Sequence, residues 1–178
     1  ELASALSYLV LASPPDDALI QAAAANALST PDQLEAQTRR LLADPRAHDQ
    51  VKRFFMQWFE INRATKDATV YADFASVMPS FLNETPALID DVIFQGDGTL
   101  SSLLLADYTY MDAPLAAFYG APAPSGSGMI KTPLAGTSRL GILSHAGFLA
   151  VHGDQNMSSP IKRGVFVRRR LLCQVLPP

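Results

Sequence analysis

Apolar residues along this chain recur at helical rather than alternating spacing, and the breaks between them fall on proline, glycine and capping residues. Leu2, Leu6, Leu9 and Val10 share one face of a first helix. The Ser13-Pro14-Pro15 break ends it, because Pro14 disfavours the helical conformation for the residue before it. Asp16 and Asp17 open a second, alanine-rich helix that reaches about Ala27. Thr30 is a good N-cap, with Pro31 at the first helical position and Gln33 placed to close a capping box over a helix carrying Leu34, Leu41 and Leu42. Asp44-Pro45 repeats the device and launches a helix in which Val51, Phe54, Phe55, Trp58 and Phe59 form a wide aromatic stripe, the predicted core.

From Asp73 to about Gln95 the positions Phe74, Val77, Met78, Phe81, Leu82, Leu88, Ile89, Val92 and Ile93 keep helical spacing, and Pro79 and Pro86 predict a break or kink within it. Gly96-Asp97-Gly98 ends that stretch, and Thr99 caps a short turn of helix over Leu103–Leu105. Residues 107–112 read as a brief extended crossing before a helix with Leu115, Phe118 and Tyr119, stopped by Gly120. Residues 121–138, rich in Pro, Gly and Ser, form one long loop with a short strand at Met129–Thr132. Leu140 to Val151 makes another apolar helix, Gly153–Asn156 a polar turn, and Ser159-Pro160 opens a last helix through Leu172. The predicted fold is mainly α: a multi-helix orthogonal bundle with one long Gly/Pro/Ser loop and a smaller C-terminal helical part. Its divisions are an N-terminal helical domain at 1–120, a loop or linker at 121–138, and part of a second domain at 139–178. No repeat of fixed period accompanies the helix-turn-helix rhythm.

Composition makes this a packed chain. With 178 residues, 48% hydrophobic and 17% charged, it is long enough for one large domain or two small ones sharing a core. A formal net charge of -3 without long runs of either sign offers nothing to a nucleic-acid backbone. The longest apolar run falls far short of a membrane span, so no membrane insertion is expected of this chain. Cys173 is the only cysteine, which excludes an internal disulfide, a cysteine zinc site and covalent haem attachment within the chain. It reads equally as a small buried apolar residue or as a partner for a cysteine elsewhere. The start at Glu1, already inside an apolar helical pattern, and the stop at Pro177-Pro178 directly after a helix lead us to expect a piece of a longer protein, truncated before a proline-rich linker.

Several short motifs in order carry a resemblance. Glu1-Leu2-Ala3-Ser4 with Leu6-Ser7-Tyr8, the Ser13–Asp17 turn, Leu41–Arg46, Phe55-Met56-Gln57-Trp58, Ala106–Tyr110 and the Phe118-Tyr119-Gly120 stop resemble the planctomycete-cytochrome-associated domains of unknown function. Leu140–Leu143, Ser158–Gly164 and Leu171-Leu172-Cys173 resemble the domain that follows the first in tandem. The chain departs from that pattern at His152–Met157, where threonine and serine are more usual. The resemblance implies an exported protein, periplasmic or at the cell surface, with haem c held elsewhere in the same polypeptide and sister domains as partners.

Candidate chemistry is sparse. Of the three histidines, His48 reads as solvated; His145, in an apolar helix, reads as a satisfied core histidine before it reads as a ligand. His152 precedes Asp154, Asn156 and Met157 in a polar turn, and histidine and methionine are the usual axial ligands of cytochrome iron. His145 and His152 are therefore the candidate cofactor-binding residues, though the His152–Met157 spacing matches no haem motif. A helix beginning at Ser159 presents free backbone N–H groups, and Lys162 and Arg163 in its first turn make it a candidate anion site. The plainer alternative, which the sequence favours, is that Ser159 caps the helix and the basic residues pair with nearby carboxylates. Arg168-Arg169-Arg170 face three directions on the same helix.

Asp90 and Asp91 are adjacent and point apart, and Glu84 shares no face with Asp90, so paired-carboxylate hydrolysis is not supported. Asp97-Gly98-Thr99 lacks the alternating ligands of a calcium loop, and no nucleophile elbow, phosphate loop or dinucleotide fingerprint occurs. The sequence thus assigns no catalytic residue, metal ligand or cofactor of this chain's own. Two functional readings remain: a helical scaffold packing against sister domains and supporting electron transfer, or part of an extracellular oxidoreductase or hydrolase completed by other domains. The second predicts a polar pocket around His145, His152, Asp154, Asn156 and Arg163; the first predicts exposed apolar surface near the chain ends.

Overall fold

A computed structural model of the chain describes residues 1–66 and 69–175; Pro177-Pro178, the expected linker start, lies outside them. Among the described residues the protein is mainly α, as expected, with nine α-helices and one two-stranded sheet. The chain divides into two compact units, Glu1–Phe54 and the residues from Phe55 onward.

In the first unit, α1 (Leu2–Leu11), α2 (Asp17–Ala24) and α3 (Pro31–Leu42) start where the capping residues stand. The Asp16 carboxylate accepts the Leu19 N–H at 2.9 Å. Thr30 Oγ1 accepts the Gln33 N–H at 3.3 Å while Gln33 Oε1 accepts the Thr30 N–H at 3.2 Å, which closes the capping box. The core is aliphatic: Ala3, Val10, Leu11, Leu19, Leu28, Leu41 and Ala47. The inward face of α1 differs from expectation, with Ala3, Ser7, Val10 and Leu11 buried and Leu9 73% exposed. α1 packs against α2 and α3, with Leu11 buried and Leu6 packed against the core while Leu2 and Leu9 face outward. α4 spans Pro45–Trp58.

In the second unit a 3₁₀ turn, Ile61–Arg63, precedes α5 (Phe74–Asp90). α5 runs through Pro79 and Pro86 without a break, one of the two outcomes the sequence predicted there, and continues as a π turn over Asp91–Gln95. A proline inside a helix costs about 3 kcal/mol; the buried face Val77, Phe81, Glu84, Thr85, Leu88 and Ile89 holds α5 together against that cost. α6 (Leu100–Leu105) is capped by Thr99, whose Oγ1 accepts the Ser102 N–H. The extended crossing is strand β1 (Tyr108–Met111), α7 follows at Ala113–Tyr119, and the loop strand is β2 (Ile130–Pro133). β1 and β2 pair antiparallel in the register Tyr108↔Pro133 to Met111↔Ile130.

The helix expected over 140–151 is divided. Ile142–Ser144 forms a 3₁₀ turn, His145 is extended, and α8 spans only Ala146–Val151. Gly141 stands before the 3₁₀ turn in a conformation that favours glycine: its φ is +55°, and a Cβ there would lie 2.0 Å from the Leu104 carbonyl oxygen. α9 (Pro160–Phe166) passes into a π turn at Val167–Leu171, and Phe166 packs inward while Ile161 and Leu172 are exposed. Cys173 is exposed rather than buried. Of the aromatic stripe of α4, Phe59 is fully buried, Phe55 and Trp58 are half-buried, and Phe54 is 56% exposed. The aromatic core forms instead from distant segments, with Phe59 6.0 Å from Phe148 and 5.5 Å from Phe166, and Phe148 edge-on to Phe166 at 5.0 Å.

Candidate functional site

A cluster of buried polar side chains lies in the second unit. Glu84 and Thr85 come from α5, Thr109 from β1, Tyr119 from the last turn of α7, and His145 from the residue before α8. Glu84, Thr85 and Thr109 are fully buried and His145 is nearly so. The Tyr119 hydroxyl donates to both Glu84 carboxylate oxygens, at 2.9 and 2.8 Å, and accepts the Ala146 N–H at 2.8 Å. Thr109 donates to Glu84 Oε1 at 2.9 Å. Since that bond uses the one hydroxyl proton, Thr109 accepts from His145 Nε2–H at 3.2 Å, and His145 Nδ1 accepts from Thr85 at 2.9 Å. With Thr109 donating to Glu84, the partners select the neutral Nε2–H tautomer of His145.

Electrostatics agree with this assignment. Burial pushes Glu84 up from an ordinary 4.5 to about 7, against the opposing hydrogen bonds of Tyr119 and Thr109 and the positive field of Arg139. Burial, with a smaller contribution from Arg139, pulls His145 from 6.5 down to about 3. Burial also raises Tyr119 well above its usual value, reinforced by the Glu84 charge, so it remains a donor. Asp91, in the π turn after α5, is the contrast: burial opposes its charge, but hydrogen bonds from Lys131 (2.8 Å) and Tyr108 (2.7 Å) prevail and hold it below its ordinary value.

Arg139 connects the cluster to a cavity. Its guanidinium lies 3.8 Å from the centre of the Tyr119 ring and donates to the Ser144 carbonyl. On its other side opens a cavity of about 540 Å³, whose walls include Phe74, Phe81, Phe118, Leu149, Lys66 and Arg139. The polar turn after α8 shapes one side through its backbone: the Asp154 carbonyl accepts from Lys66 Nζ, and the Asn156 carbonyl from the Tyr71 hydroxyl at 3.1 Å.

The structure separates the candidates read from the sequence. His145 sits in the cluster with both ring nitrogens on threonines. His152 is 7% exposed, directs Nε2 to the Phe59 carbonyl at 3.2 Å, and lies 4.4 and 4.6 Å from the rings of Phe148 and Phe166. Burial lowers its pKa, against that backbone bond. Ser159 caps α9 by accepting the Lys162 N–H at 3.4 Å, and Lys162 Nζ pairs with Asp154 at 2.6 Å, so Lys162 already has a carboxylate; Arg163, half-buried, stands one residue on. None of His145, His152, Asp154, Asn156 and Arg163 lines this cavity, whose walls include their neighbours Ala146, Met157 and Ser158.

Sequence reasoning missed Glu84, Tyr119 and Arg139 as a group. The available signal was a glutamate on the inward face of α5, between Phe81 and Leu88. An ionisable residue on an apolar face demands partners, although its spacing could not name them.

A helical core with a small hairpin and a polar cluster drawn from distant segments of its second unit is the structural class; the sequence comparisons supply the family. Residues 1–121 match PSD4, a protein of unknown function (DUF1592), and residues 139–178 match PSCyt3, a protein of unknown function (DUF1588). The chain belongs to the PSD4 family, and the two matches stand in the tandem order of planctomycete cytochrome-associated domains. No curated protein and no solved structure matches it. Glu84, Thr85, Thr109 and Tyr119 lie in the first matched segment, His145 and Ala146 in the second, and the core cluster of Val77, Phe81, Met111, Leu115, Ala116, Leu134 and Ala146 draws on both.

Proposed function

We propose that this chain is a helical interaction module of an exported, cytochrome-linked multidomain protein, packing against sister domains and supporting electron transfer by a haem c held elsewhere in the same polypeptide. The observation that carries this reading is the tandem match to two cytochrome-associated families within one chain. The buried cluster supports it, because its polar groups are consumed in joining α5, β1, α7 and α8. Among the described residues no helix is long and apolar enough to cross a membrane, which is compatible with a module working beside a haem domain in an aqueous compartment.

The test compares absorption spectra and metal content of the full-length protein, purified from an oxidising compartment, with those of this chain alone. A Soret band in the full-length protein only is the expected result. Stoichiometric haem or metal in this chain overturns the reading and directs attention to His145 and His152; a full-length protein without haem removes its cytochrome link. The second reading, part of an extracellular oxidoreductase or hydrolase completed by other domains, is favoured by the cavity beside Arg139.

A further inference from the structure

The cavity combines three features that point to one chemistry. Its walls are aromatic and aliphatic, from Phe74, Phe81, Phe118 and Leu149. Its volume, about 540 Å³, lies inside the roughly 300–1,000 Å³ range of pockets that enclose a small organic molecule. Its two cations, Lys66 and Arg139, are held by neutral groups: Lys66 Nζ by the Asp154 carbonyl and Arg139 by the Ser144 carbonyl and the Tyr119 ring. Among the described residues neither forms an ion pair, and the remaining guanidinium N–H groups of Arg139 meet no acceptor.

Among the described residues, nearby acids form no ion pair with these cations. The Asp154 carboxylate is engaged by Lys162 at 2.6 Å. Asp73, the one described carboxylate on the cavity wall, is exposed at the start of α5. Glu84 lies behind Tyr119, with its oxygens committed to Tyr119 and Thr109.

We propose that this cavity is a binding site for a small amphipathic carboxylate, its apolar body among Phe74, Phe81, Phe118 and Leu149 and its charged end on Arg139 and Lys66. A planar guanidinium with unused N–H groups matches the geometry of a carboxylate, and two cations already bonded to carbonyls suit a monoanion better than a phosphate. The site draws Phe81 and Phe118 from the first family segment and Arg139, Ala146 and Leu149 from the second, so neither segment alone forms it. It is independent of where haem resides in the full protein.

Isothermal titration of the purified chain with 2-naphthoate and with its neutral isostere 2-naphthamide tests the site. The acid binds about tenfold more tightly than the amide or better, the advantage of one charge-assisted hydrogen bond. Lys66→Gln and Arg139→Gln each reduce that preference, and Leu149→Trp, which fills the cavity, abolishes binding of both. Far-UV circular dichroism melts report whether each variant folds. If Arg139→Gln does not, the partly exposed Lys66 carries the charge test. Equal affinity for acid and amide, no binding of either, or binding that survives Leu149→Trp in a folded protein overturns the proposal.

Discussion

The first unit, residues 1–54, orders its helices with an aliphatic interior and keeps its polar work local or at the surface, whereas the second buries a carboxylate, a histidine and two threonines in its core. Asp16 caps α2 three residues on and pairs with Arg40 through both guanidinium nitrogens, at 2.7 and 2.9 Å, on an exposed face. Glu84, by contrast, is satisfied by Thr109 and Tyr119, 25 and 35 residues away, and His145 by Thr85, 60 residues away. Local caps need only a helix to form. The distant network needs the whole second unit assembled, since any member left without partners in a dry interior destabilises the fold. The comparison therefore predicts that polar substitutions have small, pH-insensitive effects in the first unit and large, pH-sensitive ones in the second.

Tyr119→Phe has the largest expected effect. It strips both Glu84 oxygens of a donor and leaves the Ala146 N–H without an acceptor, and the loss in urea unfolding should be about 3 kcal/mol. Tyr8→Phe, at a 53% exposed position in the first unit, should change almost nothing. A cost for Tyr119→Phe no larger than for Tyr8→Phe would erase the distinction between the units.

Glu84→Gln should reshape the pH profile. In the wild type Glu84 holds a proton that the unfolded chain releases, so its contribution, complete below pH 4.5, is lost as pH rises through about 7. His145 refuses a proton that the unfolded chain takes up, so stability falls as pH drops from 6.5 toward about 3. Between 4.5 and 6.5 the two slopes oppose and cancel. Removing the carboxylate leaves only the histidine, and stability should climb by roughly 1.4 kcal/mol per pH unit across that window. A variant profile as flat there as the wild type's would show that the two groups do not titrate as their burial dictates.

Asp16→Ala, losing a cap and an exposed ion pair, should cost about 1 kcal/mol at any pH above the carboxylate range. The smallest effect concerns Ser7, whose buried hydroxyl has no hydrogen-bond partner among the described residues. Ser7→Ala should leave stability unchanged or raise it by up to ~1 kcal/mol, since it removes an uncompensated polar group. A clear loss on thermal melting would mean that the aliphatic core of the first unit depends on that hydroxyl.

Helix starts were legible where a capping side chain marks them: Asp16, Thr30, Thr99 and Ser159 each accept the N–H expected of a cap, because capping is decided by residues three apart. The short strand at 129–132 was legible too, displaced by one residue. Less visible was which face turns inward. On α1 the leucines suggested one face, and helix packing against Ala3 and Ser7 chose another. On α4 five apolar residues looked equivalent until Phe148 and Phe166 arrived to bury Phe59.

The candidate site was legible only in fragments. His145 was recognised as a core histidine with partners to be found, and the polar turn after His152 as a feature of its own. Their joint role lay in backbone geometry and distant side chains, with His145 extended between the 3₁₀ turn and α8 and bonded to Thr85 and Thr109. By itself the sequence determined the helical class, the caps and the family, all carried by residues within a few positions of one another. Tertiary structure alone decided the inward faces, the Glu84–Tyr119–His145 network and the cavity beside Arg139, because burial and charge compensation depend on residues that only folding brings together.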